Sequence, residues 1–213
     1  MALTKLTKLT KRDIARAGLG LLNQVGLEGL TVRAIADELG VKAPALYWHL
    51  KNKQELLDEV ATEMFLTIPP LPPATAADHW TERIQRQARD VRRMMLSYRD
   101  GAKVFSGTFF TDDPLPGEGA IEEIVAAGYT PAQAVRVLST VFSFTVGFTI
   151  EEQAVEPMPG KRDKRYDEAI ERPGRSAAFS SAVKVALRGN FDQQFEDGLS
   201  IVMLGVNAWL ASE

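Results

Sequence analysis

"TVRAIADELGVKAPALYWHLKNKQELLDEV", residues 31–60, decides how this chain is read. Thr31 suits the cap of a helix running from Val32 to about Leu39, and Gly40 closes it. After the turn Gly40-Val41-Lys42, Ala43 opens another helix, expected to reach His49. Pro44 suits its first turn, a position that needs no N–H donor. Asn52 caps the next helix, with Glu55 three residues on, and Leu56, Leu57, Val60, Ala61, Met64 and Phe65 keep helical spacing. Two short helices joined through a glycine have the layout of a helix-turn-helix, with Ala36 small where they cross and Leu39 and Leu46 facing inward. Tyr47 and Trp48 then stand side by side on a segment too short to bury them, close to Lys42, His49, Lys51 and Lys53. A recognition helix places its first residues at base edges and its flanks at phosphates. Tyr47, His49, Lys51 and Lys53 are placed for phosphates, contacts that fix position without reading sequence. The exposed aromatic pair also suits a protein-contact patch.

Charge supports the nucleic-acid reading. The 213 residues carry a net −3, yet residues 1–53 hold nine Lys or Arg against four Asp or Glu, so the head is +5 and the remainder −8. A basic head on an acidic body points to a polyanionic partner for the head alone. There is no cysteine, which removes disulfides and thiolate metal sites. No run approaches 18 apolar residues, and MALTKLTKLTKR lacks the apolar stretch of a signal peptide, so a cytoplasmic protein away from membranes is expected.

Helical periodicity recurs along the whole chain and strand signals are almost absent, so the fold class is all-α. Thr10-x-x-Asp13 opens the first helix, Ile14, Ala17, Leu21, Leu22 and Val25 share its inner face, and Gly26 stops it. "IPPLPPATAAD" has four prolines in five residues and cannot continue a helix. It divides a DNA-binding head with its connecting helix, 1–67, from a helical body, 74–213, that binds ligand and dimerises. Helices are expected to resume at Asp78, with Trp80, Ile84, Ala88, Val91, Met94, Met95 and Tyr98 on one face. Arg83, Arg86, Arg89 and Arg93 lie on the polar side of that helix and read as a solvated face. Further helices are expected through 102–105, from Pro116 to Ala127, and over 131–155. The last is apolar nearly all round between 137 and 150 and must be covered on every side, by its own chain or a partner's. "EPMPGKRDKRYDEAIERPGR" reads as a mobile charged loop. Helices near 176–187 and 192–211 close the chain.

The stretch "LTVRAIADELGVKAPALYWHLKNKQELLDEVATEM" resembles the DNA-binding head of the TetR family. "YWHLKNKQELLD", "SYRDGAKV" and "FTVGFTIEEQ" resemble its tetracycline-repressor subgroup. The resemblance implies that Arg33 reads a guanine and that Ala43, Pro44 and Ala45 line the base edges, with Trp48 near the groove. Tyr47, His49, Lys51 and Lys53 would hold phosphates of an inverted-repeat operator. Ala43 and Ala45 depart from the polar residues of tetracycline repressors; they touch a thymine methyl but make no bidentate hydrogen bond. The resemblance also implies a homodimer built on a four-helix bundle of 137–150 and 192–211 with a second subunit. A charge at Phe144 or Val206, if either lies in that interface, should then prevent dimerisation.

In that subgroup a drug–magnesium chelate sits in the body. Aligning "SYRDGAKV" puts Phe105 at the metal-binding histidine. The other polar positions become Pro69, Gln87 and Ser143, while Thr108 and Glu151 remain. The only histidines, His49 and His79, fall elsewhere. Phe105, Phe109, Phe110, Phe142 and Phe148 suggest an aromatic-lined pocket instead. The ligand-binding set is Gln87, Val91, Phe105, Thr108, Phe110, Ser143 and Glu151, with no metal and no cofactor expected. No nucleophile–base pair or phosphate-binding glycine loop supports an enzyme. The function expected is a repressor that leaves its operator when an aromatic or polycyclic effector binds the body. The alternatives are a ligand-independent regulator and a true tetracycline–magnesium repressor.

Overall fold

The computed structural model describes residues 9–73, 75, 79–110, 118–158 and 160–212. Asp78 and Pro116, expected as helix starts, lie outside the described residues. The described residues form helices with no strand: α1 (Lys11–Gly29), α2 (Val32–Glu38), α3 (Ala43–Leu46), α4 (Lys53–Phe65), α5 (Trp80–Leu96), α6 (Gly101–Phe105), α7 (Glu118–Ala126), α8 (Pro131–Val155), α9 (Lys164–Glu171), α10 (Ala177–Arg188) and α11 (Phe191–Leu210).

The ends of these helices follow local chemistry. Thr10 Oγ1 accepts from the Asp13 N–H at 3.1 Å, and the Asp13 carboxylate accepts from the Thr10 N–H at 2.9 Å. The reciprocal pair satisfies two donors that a helix start leaves open. Gly26 breaks α1 with φ 68°, and the Leu27 N–H beyond it is taken by Asp100 at 3.1 Å. Thr31 caps α2 through the Ala34 N–H, and Asn52 caps α4 through the Glu55 N–H. α3 is shorter than its expected 43–49. Its α-helical turn ends at Leu46, and Tyr47–His49 continue as turns, with His49 and Leu50 N–H both donating to the Leu46 carbonyl. Leu46 and Leu50 are buried one turn apart and fix this curl.

One core joins α1–α4 to the body. Ile14, Leu22, Ile35, Leu46, Val60 and Met64 pack in the same cluster as Met95, Val104 and Phe105. Polar contacts reinforce that junction: the Arg99 N–H donates to Asn23 Oδ1 at 2.7 Å, and Asn23 Nδ2 donates to the Ser97 carbonyl at 3.3 Å. Gly101 is required here, since a Cβ would lie 2.1 Å from the Met95 carbonyl oxygen. The buried Gln153 of α8 accepts from the Ala102 N–H and donates to the Met95 and Tyr98 carbonyls, joining the end of α5 to the start of α6. A second core, with Trp80, Ile84, Val137, Phe195, Leu199 and Met203, holds α5, α7, α8 and α11 together.

Two readings of the sequence are corrected. The α5 arginines are not a solvated face. Arg83 is buried and donates to Glu123 of α7 at 2.8 Å, while Arg89 donates to both carboxylate oxygens of Glu196 on α11 at 2.7 Å. Only Arg86 and Arg93 are exposed. Arg92, buried beside them, donates twice to the buried Glu152 and once to Asp192, with the Phe195 ring 4.9 Å from its guanidinium carbon. Burial opposes its charge, but these bonds outweigh that and raise its pKa. The charged stretch after Glu156 is also not all loop, because α9 forms within it. Asp163 caps α9 by accepting from the Arg165 N–H, and ion pairs from Asp167 to Arg162 and Arg188 tie it to its surroundings.

α8 has the length and mean hydropathy, 1.3, of a helix able to cross a membrane, and only a third of that window is buried within the chain. Its buried side packs on α5, α7 and α11. The exposed remainder includes Thr140, Ser143 and Gly147, one small-residue row at helical spacing. On α11 the matching exposed positions are Ile201 at 69% and Leu204 at 70%. Phe144 and Val206 do not share that face: Val206 is buried, and the Phe144 ring stacks on Phe195 at 5.5 Å over Gly198. A charge at Leu204 therefore tests the subunit interface, and one at Val206 tests the monomer's core. Leu204→Glu should sediment as a folded monomer at micromolar concentration, whereas Val206→Glu should lose its cooperative thermal transition. A dimeric Leu204→Glu would place the interface elsewhere.

Candidate functional site

α3 and the turn that follows it form an open surface. Trp48 is 90% exposed and Tyr47 60%, and Arg33, Pro44, Lys51 and Lys53 are exposed with them. Ala43, Ala45 and His49 are half-buried. Trp48, His49 and Ala45 border a shallow depression with Val41, Thr10 and Leu9. Seven of the nine positions implicated from the sequence lie in the helix-turn-helix, Lys51 in the bend after it and Lys53 at the first residue of α4. Leu46 and Leu50 turn the opposite side of the segment into the core. An aromatic pair left this bare, beside cations and without an apolar rim, suits a polyanion surface.

The structure narrows the basic field. On α1, Lys11 pairs with Glu55 and Glu59, while Arg12 and Arg16 both donate to Glu63, at 2.5 and 3.0 Å. The Lys11 ammonium holds the Glu55 carboxyl below its ordinary range, helped by the Lys51 N–H at 2.7 Å. A depressed carboxyl stabilises the folded head above its unfolded pKa and loses that contribution as pH falls through its folded value. Three cations of the head are therefore occupied by α4. Among the described residues, Arg33, Lys42 and Lys51 make no side-chain ion pair, and Lys53 Nζ donates to the Leu27 carbonyl alone, at 3.4 Å.

The body holds a cavity of about 330 Å³. Phe65 of α4 forms one wall, and Gln87, Ala88 and Val91 of α5 another. Phe110 and Ile121 close a third side, and α8 contributes Val135, Leu138, Ser139, Val141, Phe142 and Thr145. Of the ligand positions expected from the sequence, Gln87, Val91 and Phe110 line this space. Phe105 stands behind the wall, fully buried, with ring centroids 5.3 Å from Phe110 and 5.9 Å from Phe142. Thr108 is not in the lining; its hydroxyl donates to the Phe105 carbonyl at 2.8 Å. Ser143 and Glu151 lie on the exposed side of α8, outside the cavity, because Val135, Leu138, Phe142 and Thr145 form the helical row that faces it. Phe65, Ser139 and Thr145 were missed. Ser139 and Thr145 share the spacing of Phe142, the one signal in the sequence that could have found them.

The head and body match different profiles. Residues 14–60 match bacterial regulatory proteins of the tetR family, and residues 72–210 match the tetracyclin repressor-like C-terminal domain. The chain belongs to the TetR family. The tetracycline repressor protein class A from transposon 1721 of Escherichia coli is 36% identical over 208 residues, spanning 94% of this chain and 92% of that protein. A possible TetR family transcriptional regulator from Streptomyces coelicolor A3(2) superposes with a TM-score of 0.78 at 33% identity, covering 93% of this chain and 98% of its own. A TetR variant from Acinetobacter baumannii AYE in complex with minocycline gives a TM-score of 0.75 at 32% identity, covering 94% of each chain. This TetR-family chain is a ligand-responsive DNA-binding repressor, with a helix-turn-helix head that meets operator DNA as part of a dimer. Its relatives are transcriptional regulators, not enzymes.

The pairing of α1 with α4 yields a contrast among cations. Lys53→Ala should weaken binding on every DNA sequence and reduce the slope of log affinity against log salt by about one unit. Lys11→Ala, whose ammonium is already held by Glu55, should change that slope far less. Arg33→Ala should relax preference at one base pair of each half-site, by about 1–3 kcal/mol. Salt titrations and binding-site selection check all three, and unchanged base preference for Arg33→Ala would remove its reading role.

Proposed function

We propose that this repressor responds to an aromatic or polycyclic effector, bound in the body cavity without an obligatory metal ion. What supports the reading above all is the lining. It is apolar apart from Gln87, Ser139 and Thr145, and Phe65, Phe110 and Phe142 present rings to the space. A hard divalent cation needs several oxygen donors, with carboxylates prominent among them, and the lining offers no carboxylate or imidazole among the described residues. Minocycline occupies the Acinetobacter relative, so a polycyclic occupant is within reach of the fold.

The cavity wall supplies the coupling. Phe65 is the last residue of α4, whose first turn carries Lys53 of the DNA-facing set. An effector that presses on Phe65 and Phe110 moves α4, and the two heads of the dimer then no longer match successive major grooves. Release follows only from the effector's differential affinity for the two arrangements. In this reading residues 1–67 are the DNA-binding unit and 74–213 the ligand and dimer unit. The operator is an inverted repeat with half-sites about one helical turn apart, and the protein works in the cytoplasm.

Thermal-shift and operator-release titrations of polycyclic aromatics and of tetracycline, each with and without magnesium, test the proposal. Aromatic ligands should bind equally well in chelator. Phe142→Ala should weaken them about tenfold or more and leave operator affinity unchanged. Phe105→Ala is a poorer probe, since emptying a fully buried ring site costs about 3–5 kcal/mol of stability. Micromolar tetracycline binding that appears only with magnesium and vanishes in chelator would overturn the metal-free reading.

A further inference from the structure

Resting on the reading just given, we infer that the body cavity selects the uncharged state of its effector and rejects carboxylate and ammonium forms of the same ring system. Among the described residues thirteen line the cavity, and none of them is ionisable. Of the α5 cations, Arg83 is held by Glu123, Arg89 by Glu196, Arg92 by Glu152 and Asp192, and Arg93 by Asp90, while Arg86 is exposed and is not among the lining residues. An ionic ligand held against this apolar lining would stand unpaired or would have to break one of these pairs, and both are costly once its charge is taken out of water.

The polar groups of the lining point the same way. Ser139 already donates to the Arg136 carbonyl at 3.1 Å, and Thr145 to the Val141 carbonyl at 2.8 Å. Gln87 makes no hydrogen bond among the described residues, so its amide is the group left to meet a ligand. An amide offers one acceptor and two donor hydrogens and no net charge. It satisfies a hydroxyl or carbonyl on an aromatic frame but does not balance an ion. A ligand acid is drawn toward its protonated form on entering such a site.

Three fluorescent probes with one ring system separate the possibilities on the intact homodimer: 9-anthracenemethanol, 9-anthracenecarboxylate and 9-(aminomethyl)anthracene. At pH 7 the alcohol should bind at least tenfold more tightly than either ion. The apparent affinity of the carboxylate should rise about tenfold for each pH unit lowered from 8 to 6, as the binding-competent neutral fraction grows. Gln87→Lys should reverse the order, admitting the carboxylate and weakening the alcohol. Equal or tighter binding of an ion to the unmodified protein, or a pH-independent carboxylate affinity, overturns the charge selection and leaves the aromatic-effector reading standing. Binding by none of the three overturns this inference; tetracycline binding that then requires magnesium would take the earlier reading with it.

Discussion

α4 belongs to two structures at once, and the rest of the molecule is arranged around that fact. Its thirteen residues, about 20 Å of helix, begin at the exposed Lys53 beside the helix-turn-helix and end at Phe65 in the cavity wall. Leu56, Val60, Ala61 and Met64 are buried in the head's core, so α4 does not slide past α1 without opening that core. Glu55, Glu59 and Glu63 add ion pairs to Lys11, Arg12 and Arg16 along the same seam. Glu63 is only 8% exposed and holds two guanidinium groups, which makes it more consequential than a surface pair. In the proposed switch, a displacement at Phe65 would pass along this tied helix to the helix-turn-helix.

The body answers a different constraint. α8 is apolar on more faces than one chain covers, and the interior solution is aromatic: Phe144, Phe148 and Phe195 pack together, with the Arg92 guanidinium against the last two rings. Arg92, Glu152 and Asp192 tie α5, α8 and α11 at the end of the body nearest Gln153, where α5 meets α6. The exposed row on α8 is small, and its neighbours on α11 are the large apolar Ile201 and Leu204. Small residues facing large ones let two helix pairs approach closely, the arrangement a dimeric bundle needs.

Local signals carried most of the element order. Thr10, Thr31, Asn52 and Thr130 cap the helices they precede, and Gly26, Gly40 and Gly128 adopt the left-handed backbone that ends or turns a helix. The helix-turn-helix was legible for the same reason, since it lies within one continuous stretch. The α5 arginines were not, because what decides their environment lies 40 and 107 residues away, at Glu123 and Glu196. α9 was hidden by its own charge: only Ile170 is buried, so no apolar period marks it. The cavity was half legible. Its aromatic character follows from residue types, but which face of α8 looks inward depends on where α5 and α7 pack, and that packing leaves Ser143 and Glu151 outside the cavity on the exposed side.

The composition of the cavity also limits how such a switch can work. Carrying a two-state head from nearly all bound-competent to nearly all released takes about 5.5 kcal/mol of differential affinity. An apolar cavity supplies that through burial at about 25 cal/mol per Å², so on the order of 200 Å² must be covered in one arrangement and not in the other. A rigid wall cannot provide such a difference. The wall therefore has to change shape between states, and the wall residues that lie outside α5, α7 and α8 are Phe65 at the end of α4 and Phe110 beyond α6, in ring contact at 5.5 Å. α8 is anchored through Gln153, Glu152 and the aromatic core and forms the fixed side. Closure of Phe65 and Phe110 over an aromatic ligand would then couple ligand area directly to the angle of α4, with no metal ion needed to draw the two walls together.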